Sequence, residues 1–299
     1  MRWKGNRRSD NIDDRRGRRV LRSGGSQSSM LPLIMQLTRS RGGWLIIAIA
    51  AGLMLFTGTD LKTLLGLVGG QAPPSTSVPV EQSAKEAETV DFMATVLADT
   101  EDTWTALLSK GPVPYAVPKL VLYRDTTRSA CGAGQSAMGP FYCPADQKIY
   151  LDLSFFEELS RRYGAPGDFA QAYVLAHEVG HHVQTLLGIS ERNQAARQGA
   201  NQVEANLLSV RQELQADCFA GLWANHADRT RQILEAGDIE EALAAATAIG
   251  DDTLQRQAQG RVTPDSFTHG SAEQRLRWFT VGLEKGSLND CNTFATNAL

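Results

Sequence analysis

The chain has 299 residues, 42% of them hydrophobic, enough to bury one good core plus appendages. Its net charge of −3 hides an asymmetry: residues 1–41 carry eleven Arg and Lys against three Asp, a net of +8, which leaves −11 for the remainder. A basic arm ordinarily signals nucleic acid or anionic lipid, and the segment that follows it here excludes nucleic acid.

Gly42 to Thr59 is eighteen residues without a charge, and Trp44 to Phe56 within it is almost wholly apolar. That is about the minimum for a spanning helix, and a basic block directly before it fits positive-inside anchoring. The competing reading, a buried helix of a soluble domain, accounts less well for that block. The basic region is too long for a cleavable signal peptide and no A-x-A site follows it. No Cys follows the run, which excludes a lipoprotein anchor. The expected organisation is a basic cytoplasmic arm over 1–41, one transmembrane helix over 42–62, a Pro/Gly/Ser linker over 63–80 and a folded domain over 81–299. The protein is then expected in the cytoplasmic membrane as a single-pass chain. Its N-terminus is cytoplasmic and its domain periplasmic or extracytoplasmic.

Within the domain, a helix is predicted over 86–107 and a strand over Lys119–Tyr123. Residues 137–143 and 148–153 form a hairpin around the turn Pro144-Ala145-Asp146-Gln147. From Phe155 onward the periodicity is helical, over about 155–162, 168–187, 190–225, 229–249 and 271–284. A small N-terminal sheet followed by a mainly helical half is an α+β architecture.

The helix over 168–187 carries His177-Glu178-Val179-Gly180-His181. Histidines four apart project from one side of a helix, so both imidazoles reach one ion. Glu178 points about 100° round the helix and can face a metal-bound water rather than the metal. Asp168 and Gln171 are placed to form a capping box at its start, and Gly188 to stop it. A metzincin needs Gly and then His where Gln184 and Leu187 stand, so that continuation fails. Glu213 and Asp217, four apart on a later apolar helix, supply the alternative: Glu213 on the metal and Asp217 accepting the N–H of His177. A solvated acidic face is the competing reading, weakened by the apolar neighbours Leu214, Cys218 and Phe219.

With those residues in place the chain resembles the bacterial neutral zinc metallopeptidase family of YpfJ-like, membrane-anchored proteins. The resemblance runs from the Arg-rich start through the apolar segment, Gly139–Pro144, the H-E-x-x-H helix and Glu213–Cys218 to Cys291–Phe294. It implies a zincin-like metallopeptidase domain, with His177, His181 and Glu213 holding Zn²⁺ and Glu178 as the catalytic base, as in gluzincins. In similar membrane-associated gluzincins a His stands shortly before an Arg-bearing helix near the active site. This suggests His269 as a donor to the oxyanion and Arg275 as its support or as a partner of Asp217. A plain loop histidine is the alternative.

Four cysteines allow three pairings. Cys131–Cys143, closing a short loop, and Cys218–Cys291, tying the chain end to the Glu213 helix, are preferred. His182 is read as a helix-surface histidine. Gly139–Cys143 is a candidate edge strand on which an extended peptide or protein substrate could add. The function that follows is zinc-dependent hydrolysis of peptide bonds by a membrane-anchored protein. A membrane-tethered scaffold with a structural zinc and no turnover is the rival.

Overall fold

Branched and aromatic residues alternate with turn signals between Lys119 and Asp152, and this stretch supplies most of the sheet. The computed structural model describes residues 1–17, 83–135, 139–295 and 299. By its contacts the chain divides into Met1–Gly17 with Pro79–Leu299, and Arg18–Val78. The helix expected over 42–62 and the linker over 63–80 lie outside the described residues. Among the described residues no helix is long and apolar enough to cross a membrane.

The first unit mixes a small sheet with a larger helical half, the α+β arrangement expected. Among the described residues its sheet is four-stranded, in the order β1 (Ile12–Asp14), β2 (Lys119–Tyr123), β6 (Lys148–Asp152), β5 (Phe141–Cys143). Strand β2 is Lys119–Tyr123, at the expected bounds, and β6 is Lys148–Asp152. They pair in parallel, and β5 (Phe141–Cys143) returns antiparallel on β6 as the expected hairpin. Leu120 and Leu122 face the main core while Val121 and Tyr123 pack with Cys143 and Tyr150 on the other face. Thr126–Ser129 and Gly132–Gln135, β3 and β4, form a separate two-stranded ribbon absent from the sequence reading.

Strand β1, Ile12–Asp14, corrects the expected organisation. It pairs in parallel with Leu120–Leu122, so residues 1–17 are part of the folded unit rather than a free arm, and the domain is not confined to 81–299. Three polar residues between Ile12 and Arg16 carry no strand signal of their own. The pairing arises because β2 offers its edge.

The helical half follows the predicted order with two divisions. Helices α1 (Ala84–Leu108), α2 (Ser154–Arg161) and α3 (Asp168–Leu186) lie close to their expected bounds. The stretch 190–225 is two helices, α4 (Ile189–Gln198) and α5 (Gln202–Arg231), divided where Asn201 and Glu204 close a capping box. Residues 229–249 are likewise divided. Helix α5 ends past Arg231 with Gln232 in the left-handed conformation, and α6 is Asp238–Ala248. Helix α7 (Asp251–Gln259) was not predicted, and α8 (Ala272–Lys285) carries the expected Ser271/Gln274 capping box.

The expected cap of α3 is corrected too. Gly167 is its N-cap, and the Asp168 carboxylate lies 3.0 Å from the Met1 ammonium, which also meets Asp238 at 3.1 Å. Glu241 of α6 instead accepts the Phe169 N–H at 3.0 Å.

Aromatic packing holds α1, α3 and α5 together: Phe169 stacks on Trp223, and Trp104 meets Phe219 edge-on. Both preferred disulfides are present, Cys131–Cys143 and Cys218–Cys291. Helices α5 and α8 approach almost backbone to backbone. A Cβ on Gly282 would stand 1.9 Å from the Cys218 carbonyl oxygen, and one on Gly221 2.0 Å from that of Phe279. Gly282→Ala should therefore push the helices apart and destabilise by about 1–3 kcal/mol or more. The check is the midpoint of urea unfolding; an unmoved midpoint would mean the contact relaxes freely.

Candidate metal centre

Helices α3 and α5 cross at Gly180 and Ala216. A Cβ on Gly180 would lie 3.0 Å from the Ala216 carbonyl oxygen. That close approach lets the residues flanking each contact point meet: His177 and His181 from α3, Glu213 and Asp217 from α5. His177 Nε2 is 3.2 Å and His181 Nε2 3.3 Å from Glu213 Oε2. One ligand atom from each of the three lies within 4.8 Å of the others.

These separations suit zinc. Bonds of about 2.0–2.1 Å at tetrahedral angles put ligand atoms roughly 3.3–3.4 Å apart. The ring nitrogens are also oriented for it. Asp217 Oδ1 lies 2.8 Å from His177 Nδ1, and Gln184 Oε1 lies 2.9 Å from His181 Nδ1. With Nδ1–H donating in both rings, Nε2 carries the lone pair that a metal needs. Asp217 stands where the sequence placed it. The role of Gln184 was missed, although its spacing of three from His181 on one helix would have revealed it.

Asp217 is completely buried and fully engaged. Arg275 of α8 donates to it through Nε at 2.9 Å and Nη2 at 3.0 Å, and the Tyr173 hydroxyl donates at 2.6 Å. Of the two roles suggested for Arg275, the structure places it on Asp217. Burial opposes charge on Asp217, but Arg275 and His177 outweigh it and lower its carboxyl to about 2. Burial also opposes charge on His177, yet Asp217 and a hydrogen bond to Glu213 raise it to about 10. His181 is raised against its own burial by Glu213, and the two histidines hold the buried Glu213 well below the usual carboxylate range. Surroundings that favour positive charge on the imidazoles and negative charge on Glu213 also favour a cation between them.

Glu178 is buried beside this cluster without joining it. Burial pushes its carboxyl up, moderated by His181 and His177, and the Tyr142 N–H of β5 donates to it. The site opens into a cavity of about 380 Å³. Phe141 and Tyr142 of the edge strand, Ile249 and His269 are among the residues that line it.

His269 lies at this rim with its side chain 54% exposed and Nδ1 3.3 Å from Asp251 Oδ1. The hydrogen bond it donates to Asp251 raises its pKa against the opposing effect of burial. Asp251, also unforeseen, collects the N–H groups of Thr268, His269 and Gly270 on Oδ2 at 2.7, 2.6 and 3.0 Å. It thereby fixes the loop that presents His269; nothing in the sequence marked it. His182, expected on the surface, is buried. It donates from Nε2 to the Ala116 carbonyl, and its Nδ1 lies 3.1 Å from the Tyr142 hydroxyl, which pins the edge strand to α3.

A family model described as "Putative neutral zinc metallopeptidase" matches residues 1–294. "Uncharacterized protein YpfJ" of Escherichia coli K12 is 51% identical over 98% of this chain and 99% of its own. "Uncharacterized protein Mb2605" of Mycobacterium bovis is 46% identical over 60% of this chain and 64% of its own. No solved structure matches the chain. A family match across nearly the whole sequence, with a relative half identical end to end, makes this chain a member of the neutral zinc metallopeptidase family.

Proposed function

We propose that the protein is a gluzincin-type endopeptidase in which His177, His181 and Glu213 hold Zn²⁺ and Glu178 is the general base. The observation that carries the reading is the meeting of two Nε2 atoms and one carboxylate oxygen at tetrahedral-edge distances, on the wall of an open cavity. Bound there, zinc supplies Lewis acidity and an acidified water. Glu178 takes the proton of the attacking water and delivers it to the leaving amine. His269, held by Asp251 at the rim, donates to the developing oxyanion. An extended peptide lies along β5, the outer strand of the sheet among the described residues. The rival scaffold with a structural zinc calls for a fourth protein ligand and a closed site. Among the described residues three ligands stand beside a cavity, which supports turnover instead.

Two disulfides and no free cysteine support work in an oxidising compartment, outside the cytoplasm. Residues 42–62 attach the protein to the membrane there.

The purified full chain should contain about one zinc per molecule and cleave casein or mixed peptides in a chelator-sensitive way. Glu213→Ala should lose most of the metal. Elemental analysis that found none in the wild type, prepared without chelator, would sink the assignment. Full zinc with no cleavage across a broad peptide library would put the scaffold ahead.

A further inference from the structure

Basic residues of the described N-terminal segment, up to Arg16, have partners in the fold. Lys4 meets Glu88 at 2.9 Å, Arg8 meets Asp91 at 3.0 Å and Arg16 meets Glu86 at 2.8 Å, all on α1. Arg7 bridges Glu101 and Asp102 at 3.0 and 2.7 Å. Glu101 is only 6% exposed, and its carboxylate also accepts from Ser9 and Asn11. The backbone is engaged as well. The Leu120 N–H donates to the Asn11 carbonyl at 2.9 Å and the Arg15 N–H to the Leu122 carbonyl at 2.7 Å, flanking the β1 ladder. Trp3 packs edge-on against Phe92. Removing residues 1–17 would strand a buried carboxylate and strip one edge of β2, both unfavourable.

The contact between Arg16 and Glu86 is decisive, because the whole apolar run lies between them in sequence. A chain crossing a bilayer once between these residues would separate them by the hydrocarbon thickness, about 30 Å. The observed ion pair spans 2.8 Å. We infer that residues 1–17 and the domain from residue 83 onward occupy the same side of any membrane the chain engages. A single crossing by residues 42–62, with the N-terminus left in the cytoplasm, is incompatible with this fold. Lys4, Arg7, Arg8 and Arg16 act as an intramolecular clamp on α1 rather than as a cytoplasmic retention signal. The inference is independent of the zinc site, so the two stand or fall separately.

The test uses the full chain in intact cells. All four native cysteines are paired, so a single added thiol is the only one that reacts. Asp10→Cys and Lys110→Cys place it at exposed positions in the N-terminal segment and in the domain. Each is treated with a membrane-impermeant maleimide before and after permeabilisation. Both variants should behave alike, labelled from outside or protected until the membrane is opened. Labelling of one with protection of the other would overturn the inference. The unmodified protein gives a second reading in isolated membranes, where a zero-length carbodiimide should join Lys4 to Glu88 in a peptide detected by mass spectrometry. Absence of that peptide in membranes, with its appearance only after detergent extraction, would also overturn it.

Discussion

Glu178→Gln should leave zinc content and folding unchanged while peptide turnover falls by about 10²–10⁴-fold, the usual worth of a general base. Glu178 is no ligand here: the two imidazoles converge on Glu213, and Glu178 stands beside them against the Tyr142 N–H. The amide keeps the shape of the carboxylate but takes no proton at neutral pH. Its burial and the Tyr142 contact also survive the change, since the amide oxygen still accepts. The measurement is kcat on casein or a mixed-peptide substrate alongside metal content. Wild-type turnover in a zinc-replete variant would remove Glu178 from the chemistry, and a loss of zinc would mean that it holds the metal.

Asp217→Ala is expected to have the largest effect on stability, about 3–5 kcal/mol, because it leaves the buried Arg275 without its counter-charge. Arg275 is 3% exposed, and it donates to Asp217 through two nitrogens. The loss should persist in excess chelator, where zinc contributes nothing to either protein. In the metal-loaded protein the same change frees the His177 ring and should weaken zinc binding a further 10–100-fold, roughly the worth of such outer partners. Urea unfolding with and without chelator separates the two effects. A loss below about 1 kcal/mol in chelator, as for an exposed ion pair, would mean that the network carries little stability. The pH dependence has a defined sign. Asp217 titrates at about 2 in the fold against 3.8 ordinarily, so the unfolded chain binds more protons between those values. Its contribution is complete above about pH 4 and disappears as the pH falls toward 2.

Much of the site could be read from local spacing. A helix repeats every 3.6 residues, so His177 with His181 and Glu213 with Asp217 are paired by sequence alone. Distances within one helix need no knowledge of the fold. The break between α4 and α5 was legible in principle from Asn201 and Glu204, but the long apolar-rich pattern around it masked the cap. Gln184 was read only as a mismatch to another motif, although it stands three residues from His181; the fold shows both ends of its amide in use, toward His181 and toward Gln212.

The amino-acid sequence by itself determined the two helices and the ligand types each presents, because these depend on periodicity and residue chemistry; the cysteine pairing was one of three until the fold chose it. Tertiary structure alone decided that the helices meet at Gly180 and Ala216, that Arg275 completes Asp217 and that Asp251 holds the His269 loop. It also decided the fate of the basic arm. Read locally, a net charge of +8 before an apolar run looks like an electrostatic tail. In the fold, the acidic face of α1 pairs with Lys4, Arg7, Arg8 and Arg16 of the described segment, because the partner that settles the role of a charged side chain can lie many residues away.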